Sequence, residues 1–255
     1  DIIEFYNIVY IYRNFNAMRN PKWDRDEVIL ALDLYYRLES AKMVTSNPEV
    51  IELSEILNRL PIHINRPDSE KFRNENGVNL KLGNFKHYDP DYAGKGLKGG
   101  SKLDKAVLNE FYGKREDLKE IANKIKVTVA NSSVVNKLYN IPNEEDDDLH
   151  SVKEGKVIYK LHKLRERDPK INKKKKDIYF KQYNKLNCEV CDFDFYREYG
   201  EIGKFFIEAH HRVPLSEICG ESKTKLKDLA LVCSNCHRML HRGIDIPELK
   251  NKIKQ

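Results

Sequence analysis

A chain of 255 residues, 40% of them hydrophobic, has material for one large or two modest domains, and we read two. No run approaches the roughly 18 apolar residues of a membrane span, and residues 2–15 are interrupted by Glu4, Asn7 and Arg13 and lack the marks of a signal peptide. That argues against a membrane partner and for a soluble, cytoplasmic protein; a chain beginning at Asp1 is also expected to continue upstream. The net charge of +6 is uneven: residues 151–255 hold 24 Lys and Arg against 15 Asp and Glu (+9), and residues 1–150 hold the other 22 against 25 (−3). A basic half suggests a polyanion such as a nucleic acid backbone, and equally describes a solvated lysine-rich surface.

Residues 2–15 mix aromatic and β-branched side chains and suit a strand or a helix equally. Over residues 24–38, Val28, Leu32, Tyr35 and Tyr36 recur at helical spacing behind Asp24 as cap. Asn47 as cap and Pro48 in the first turn announce a second helix, which ends before Pro61. Residues 72–93 interleave basic, amide and aromatic side chains, types that contact phosphates and stack on bases; the same stretch also reads as a turn at Asn76-Gly77 followed by an amphipathic element with Val78, Leu82 and Phe85 inward. Residues 94–101, G-K-G-L-K-G-G-S, are not a Walker phosphate loop, because Gly100 rather than Lys follows Gly99 and the residues before them are polar. They predict a flexible loop whose Lys95, Lys98 and Lys102 touch a DNA backbone. Helices are expected next over 103–111, behind Ser101, and over 116–126, with Leu118, Ile121 and Ile125 inward.

Pro142 and the acidic run from Glu144 to Asp148 have the composition of a solvated linker. Beyond it, Val157, Leu161 and Leu164 stripe a helix whose other faces carry Lys153, Lys156, Lys160, Lys163 and Arg167, and four lysines follow in a row from Lys173. This is a solvated face or a surface for approaching DNA.

Of five cysteines, four stand in Cys-x-x-C pairs, Cys188 with Cys191 and Cys233 with Cys236, with 41 residues between the pairs. Two such knuckles can close four thiolates around one tetrahedral Zn2+, which suits a reducing compartment better than disulfides do. Cys219 is left over and reads as a small buried apolar side chain. A zinc saturated by sulfur has no use for His210, His211, Asp228, His237 and His241, which lie within or just beyond the clip. His210 closes the run F-F-I-E-A-H, and neighbours on a strand face opposite sides, so His210 and His211 cannot easily ligate one ion. His237 and His241, four apart, share one side of a helix.

A His-His pair ending a strand, an amide or acid before a second strand, then histidines on a helix: this order resembles the HNH (ββα-metal) nucleases, and among them the McrA-like restriction endonucleases with a four-cysteine structural zinc. The resemblance implies that His210, His237 and His241 hold a catalytic Mg2+, Mn2+, Ni2+ or similar ion, with His241 alternatively a phosphate contact. It also implies that His211 is the general base and that Asp228, where the family has Asn, orients it. Arg212, Arg238 and Arg242 are by themselves candidate phosphate clamps and read equally as plain surface. The N-terminal half, with W-x-R-D-E-V from Trp23 and F-R-N-x-x-G-V from Phe72, resembles the sulfur-binding modules of modification-dependent restriction enzymes. That resemblance implies an apolar cup at Pro90 and Ala93, with Arg73, His87, Tyr88 and Tyr92 near, for phosphorothioate DNA.

The expected architecture is therefore α+β: a mainly helical DNA-recognition domain over residues 1–142, an acidic linker over 143–151, and a ββα-metal HNH domain over 152–255. The expected activity is hydrolysis of double-stranded foreign or modified DNA, phosphorothioated or methylated. A homodimer suits an enzyme whose single site cuts one strand. Two alternatives stand beside this: a catalytically inactive zinc-stabilised DNA-binding protein, and an HNH homing or repair nuclease that reads base sequence.

Overall fold

The computed structural model describes residues 19–141, 155–212, 225–242 and 244–253. The expectations for residues 2–15, the acidic run and Cys219 lie outside them. The chain is mostly helical with one two-stranded sheet, and it clusters into two compact units, residues 1–139 and 140–255.

The first unit is built around α1, Arg25–Arg37, which starts at a capping box made by Asp24 and Glu27. Residues Val28 to Leu32 are fully buried, so α1 is a central helix covered on all sides. It packs against α2 (Pro48–Arg59), α3 (Glu75–Tyr88), α4 (Lys102–Phe111) and α5 (Arg115–Ala130); α6 (Ser132–Tyr139) completes the unit against α5. Asn47 caps α2 with Pro48 in its first turn, as expected. Asn76-Gly77, expected as a turn, lies inside α3. Asn74 accepts from the Gly77 amide and starts the helix earlier, and Val78, Leu82 and Phe85 are buried as anticipated.

Two ion pairs are sealed in this unit. The Arg73 guanidinium donates to both Glu27 oxygens at 2.8 Å and to the carbonyls of Pro21 and Lys22, while Lys81 donates to both Asp104 oxygens at 2.7 and 2.8 Å. Both cations stand 4.7 Å from the Trp23 ring. With Arg73 only 5% exposed and its donors committed, it is a structural cation, which corrects the expectation that it contacts DNA.

Residues 94–101 are tied down where a flexible loop was expected. The Leu97 amide donates to the Gly83 carbonyl in the middle of α3 at 2.9 Å, Tyr88 Oη donates to the Gly100 carbonyl at 2.8 Å, and His87 Nδ1 lies 3.2 Å from the Lys95 carbonyl. Glycine is required at Gly96, whose φ of +59 and whose approach to the His87 nitrogen, which a Cβ would meet at 2.2 Å, leave no room for a side chain; a Cβ on Gly83 would press on Leu97 Cδ1 at 2.5 Å. Lys95 and Lys98 are exposed on this fixed loop.

The second unit opens with α7 (Lys156–Glu166) and α8 (Pro169–Tyr183), the latter capped by Asp168. Helix α7 was expected with Val157, Leu161 and Leu164 as its stripe and Lys160 and Lys163 on other faces. Val157 is buried, but Leu161 and Leu164 are only half-buried, and Ile158, Lys160, His162, Lys163 and Glu166 are buried with it. After α9 (Phe195–Tyr199), β1 (Glu208–His211) pairs antiparallel with β2 (Leu229–Val232), placing His210 opposite Ala230 and His211 opposite Leu229. Helix α10 (Ser234–Leu240) comes directly after β2, and α11 (Ile246–Ile253) packs on it. One apolar cluster joins Val190, Ala230, Val232, Leu240 and Leu249 to the cysteines; the other, on the opposite face of the hairpin, holds Leu186, Ile207, Ala209, Leu229 and Leu231. All four β2 residues are buried because both faces are covered.

Burial alone would keep Glu27 neutral, but hydrogen bonds from His63 and Arg73 outweigh it and hold its carboxyl below the ordinary value. A carboxyl depressed in the folded state contributes stability above its unfolded value of about 4.3, and that contribution is lost as the pH falls through the lower folded value. Glu27→Gln is expected to destabilise the first unit by about 3–5 kcal/mol at neutral pH, because Arg73 is left buried without its anion. It should also flatten the fall of Tm on acidification below about pH 5. A variant that keeps the wild-type acid limb in thermal melts contradicts this account.

Candidate metal centre

The cysteine clip assembles as its spacing predicted. All four sulfurs lie within 4.8 Å of one another, with Cys191 and Cys233 3.7 Å apart, and the described cysteines form no disulfide. Zn–S bonds of about 2.3 Å in a tetrahedron put sulfurs about 3.8 Å apart, so this cluster fits a zinc ion. Burial and the neighbouring thiols push the Cys236 thiol up, a crowding that a bound cation would relieve. The clip also sets the register of β2 and α10. Cys233 is the N-cap of α10 and accepts from the Cys236 amide, while the Glu189 amide donates to the Leu231 carbonyl at 2.8 Å, locking the first knuckle to β2.

One turn beyond the clip, the histidines converge. Ring centroids of His210, His237 and His241 lie 4.6–5.1 Å apart, and His237 Nε2 and His241 Nε2 are separated by 3.0 Å. Between them stands the carboxylate of Glu166. Its Oε1 is 2.7 Å from His162 Nε2 and 2.8 Å from His210 Nδ1, and its Oε2 is 3.3 Å from His237 Nε2 and 3.2 Å from His241 Nε2. His162, Glu166, His210 and His241 each offer a ligand atom within 4.8 Å of the others. His210 Nδ1 is buried and, though 2.8 Å from Glu166, lacks hydrogen-bond geometry toward it. Only His237 Nε2 and His241 Nε2 are within hydrogen-bond reach of each other; three imidazoles and a carboxylate crowded around one point fit a site for a divalent cation.

The electrostatics agree. Burial, opposed by Glu166, pushes His210 down to about 4, and burial with the nearby His162 pushes His211 down to about 4, so both rings are neutral at pH 7. Burial also works against a charge on His237, yet hydrogen bonds to Glu166 and Glu208 overcome it and raise its pKa to about 9. Glu166 is held well below the usual carboxylate range: burial resists, and the imidazoles prevail. The cluster thus stabilises positive charge at its centre.

His211, 2% exposed, offers no ligand atom to this group; its ring lies 5.6 Å from that of His162, and its amide donates to Glu166 Oε1 at 3.3 Å. The strand alternation therefore separates the His-His pair as the sequence implied. Asp228 accepts from the Lys225 amide at 2.8 Å, its carbonyl accepts from the Arg212 amide, and its charge favours a proton on His211. Arg212 is paired with Glu189 and half-exposed, whereas Arg238 is exposed. A cleft of about 740 Å³ opens on the site; Glu166, Glu208, His237 and His241 are in its wall, and Lys163, Arg167, Lys176, Arg238 and Arg242 also line it.

Sequence reasoning missed three residues here, His162, Glu166 and Glu208. A histidine and a glutamate four apart share a helix face, and Glu208 shares a strand face with His210 two residues on, so both signals were present but masked by the lysines around them. Glu208 bonds His237 Nδ1 and so fixes which nitrogen faces the centre.

Residues 188–243 match the model of the HNH endonuclease family, and this stretch is an HNH endonuclease domain carrying a four-cysteine cluster. Such a domain implies binding to DNA. No curated protein and no solved structure matches the chain. Helix α7, with His162 and Glu166, lies outside the matched segment. No described helix is long and apolar enough to cross a membrane.

Cys188→Ser should lower the zinc content well below one ion per chain and lower the Tm of the second unit, because the metal supplies folding free energy there. Unchanged zinc by elemental analysis, together with unchanged melting, would rule out the clip.

Proposed function

We propose that the protein is a metal-dependent DNA endonuclease that hydrolyses phosphodiesters, and that it acts in the cytoplasm on foreign or modified DNA. The observation that carries this reading is the convergence of His210, His237 and His241 on one point, with His237 and His241 in the wall of a cleft rimmed by Lys163, Arg167, Lys176, Arg238 and Arg242. A bound Mg2+, Mn2+, Ni2+ or similar ion supplies Lewis-acid polarisation of the phosphoryl group and assistance to the departing oxygen.

The remaining work falls to the chain's own groups. Arg238 and Arg242, on and just after α10, and Lys163 and Arg167, at the end of α7, hold the phosphate backbone in the cleft. His211, neutral at pH 7, takes the proton from the attacking water. Asp228 strengthens that proton affinity through its charge. Glu208 keeps His237 turned toward the centre. His211→Ala is expected to bind plasmid DNA with unchanged affinity and to nick it about 10²–10⁴-fold more slowly, a loss typical of a missing general base. Wild-type nicking of supercoiled plasmid by that variant would remove the mechanism.

Residues 1–142 serve recognition in this reading, joined to the nuclease by an acidic linker. Support comes from the loop that holds Lys95 and Lys98 exposed, with His87, Tyr88 and Tyr92 alongside and Pro90 and Ala93 at the surface. The Tyr88 hydroxyl is committed to Gly100, so its ring rather than its oxygen is available to a ligand. An apolar surface at Pro90 and Ala93 would favour a nonbridging sulfur over the better-hydrated oxygen. Matched phosphorothioate, 5-methylcytosine and unmodified duplexes should bind in that order at fixed salt. Equal affinity for all three would leave the nuclease assignment in place and remove modification sensing.

A further inference from the structure

We propose that Glu166 is itself a ligand of the catalytic ion, held in place by His162, so that the metal centre is completed by a helix lying outside the HNH segment. This rests on the nuclease reading for the ion's purpose but not for its geometry. Metal–ligand bonds of about 2.0–2.2 Å put neighbouring ligand atoms about 3.0–3.5 Å apart. Glu166 Oε2, His237 Nε2 and His241 Nε2 form a triangle with edges of 3.3, 3.2 and 3.0 Å, which is one face of such a coordination shell. His210 Nδ1 closes on the other oxygen at 2.8 Å without hydrogen-bond geometry, as a fourth ligand would.

His162 differs from the other three imidazoles. It stands one turn before Glu166 on α7 and bonds Oε1 at 2.7 Å, the shortest imidazole contact the carboxylate makes, so it orients that carboxylate. Glu166 is 7% exposed, and a buried carboxylate within 2.8–3.3 Å of three imidazoles, with no Lys or Arg among its described contacts, has a positive ion as its natural complement. Helix α8 brings Asn172, whose amide donates to the Glu166 carbonyl and fixes the end of α7.

The donor set has a chemical consequence. Three imidazoles and one carboxylate suit Mn2+, Fe2+, Ni2+ or Zn2+, whereas Mg2+ prefers an all-oxygen shell rich in water. The centre should therefore select a first-row transition ion and hold Mg2+ weakly.

The test is metal binding by the full chain without DNA, read by the electron paramagnetic resonance signal of free Mn2+ and by elemental analysis after loading. Wild type should hold one zinc at the cysteines and one Mn2+. Glu166→Ala should weaken Mn2+ at least about 100-fold while keeping its zinc, and His162→Ala about tenfold, the range for removing a group that orients a ligand. Retained zinc shows that the domain is folded; if Glu166→Ala loses zinc as well, Glu166→Gln serves, its amide keeping the shape while weakening Mn2+ at least about tenfold. A dissociation constant within threefold of wild type in a zinc-retaining Glu166 variant overturns the proposal, as does tighter Mg2+ than Mn2+ binding by wild type. Mn2+ lost with Glu166 in a protein that never cuts DNA would sink the nuclease reading and leave this one standing.

Discussion

Four cysteine sulfurs gathered within 4.8 Å are the constraint on which the second unit depends. The hairpin of β1 and β2 has four residues a strand, and α10 has seven; elements of that size do not hold themselves together in water. The clip overcomes this by tying the first knuckle to β2 through Glu189 and by making Cys233 both a candidate zinc ligand and the cap of α10. Because β2 leads directly into Cys233, fixing the sulfur fixes the helix, and the helix fixes where His237 and His241 stand.

Both units seal charge inside, with different outcomes. In the first, Arg73 with Glu27 and Lys81 with Asp104 satisfy one another at hydrogen-bond distance, and nothing is left for a ligand. In the second, Glu166 faces four imidazoles and no Lys or Arg partner among its described contacts. A matched pair is a structural solution; an anion ringed by neutral or shared-proton groups retains an attraction for a cation.

Range along the chain decides which features the sequence showed and which it hid. The caps at Asp24, Asn47 and Ser101 are local devices, and they start helices where expected. The cysteine spacing is a local pattern too, and so is the four-residue step between His237 and His241. Glu166 reaches the site across 44 residues to His210, a contact that no periodicity announces, and on its own helix it sits among Lys163, Arg165 and Arg167, where a glutamate looks like one more solvated charge. Arg73 was misplaced for the converse reason: its basic side chain suggested a phosphate contact, while the buried Glu27 that receives it lies 46 residues away. The fixed loop after α3 was hidden because each of its fasteners ends on a backbone group of the loop, which composition does not record.

Those fasteners separate two tasks that surface loops usually combine. The segment carrying Lys95 and Lys98 is secured through Leu97 to Gly83, through Gly100 to Tyr88 and by the tight approach of Gly96, while the lysine side chains themselves secure nothing in it. Residues at those outward positions can be exchanged for other chemistries with little penalty to the helices beneath. The first unit is in that sense a chassis whose outward side chains can be changed without refolding the protein.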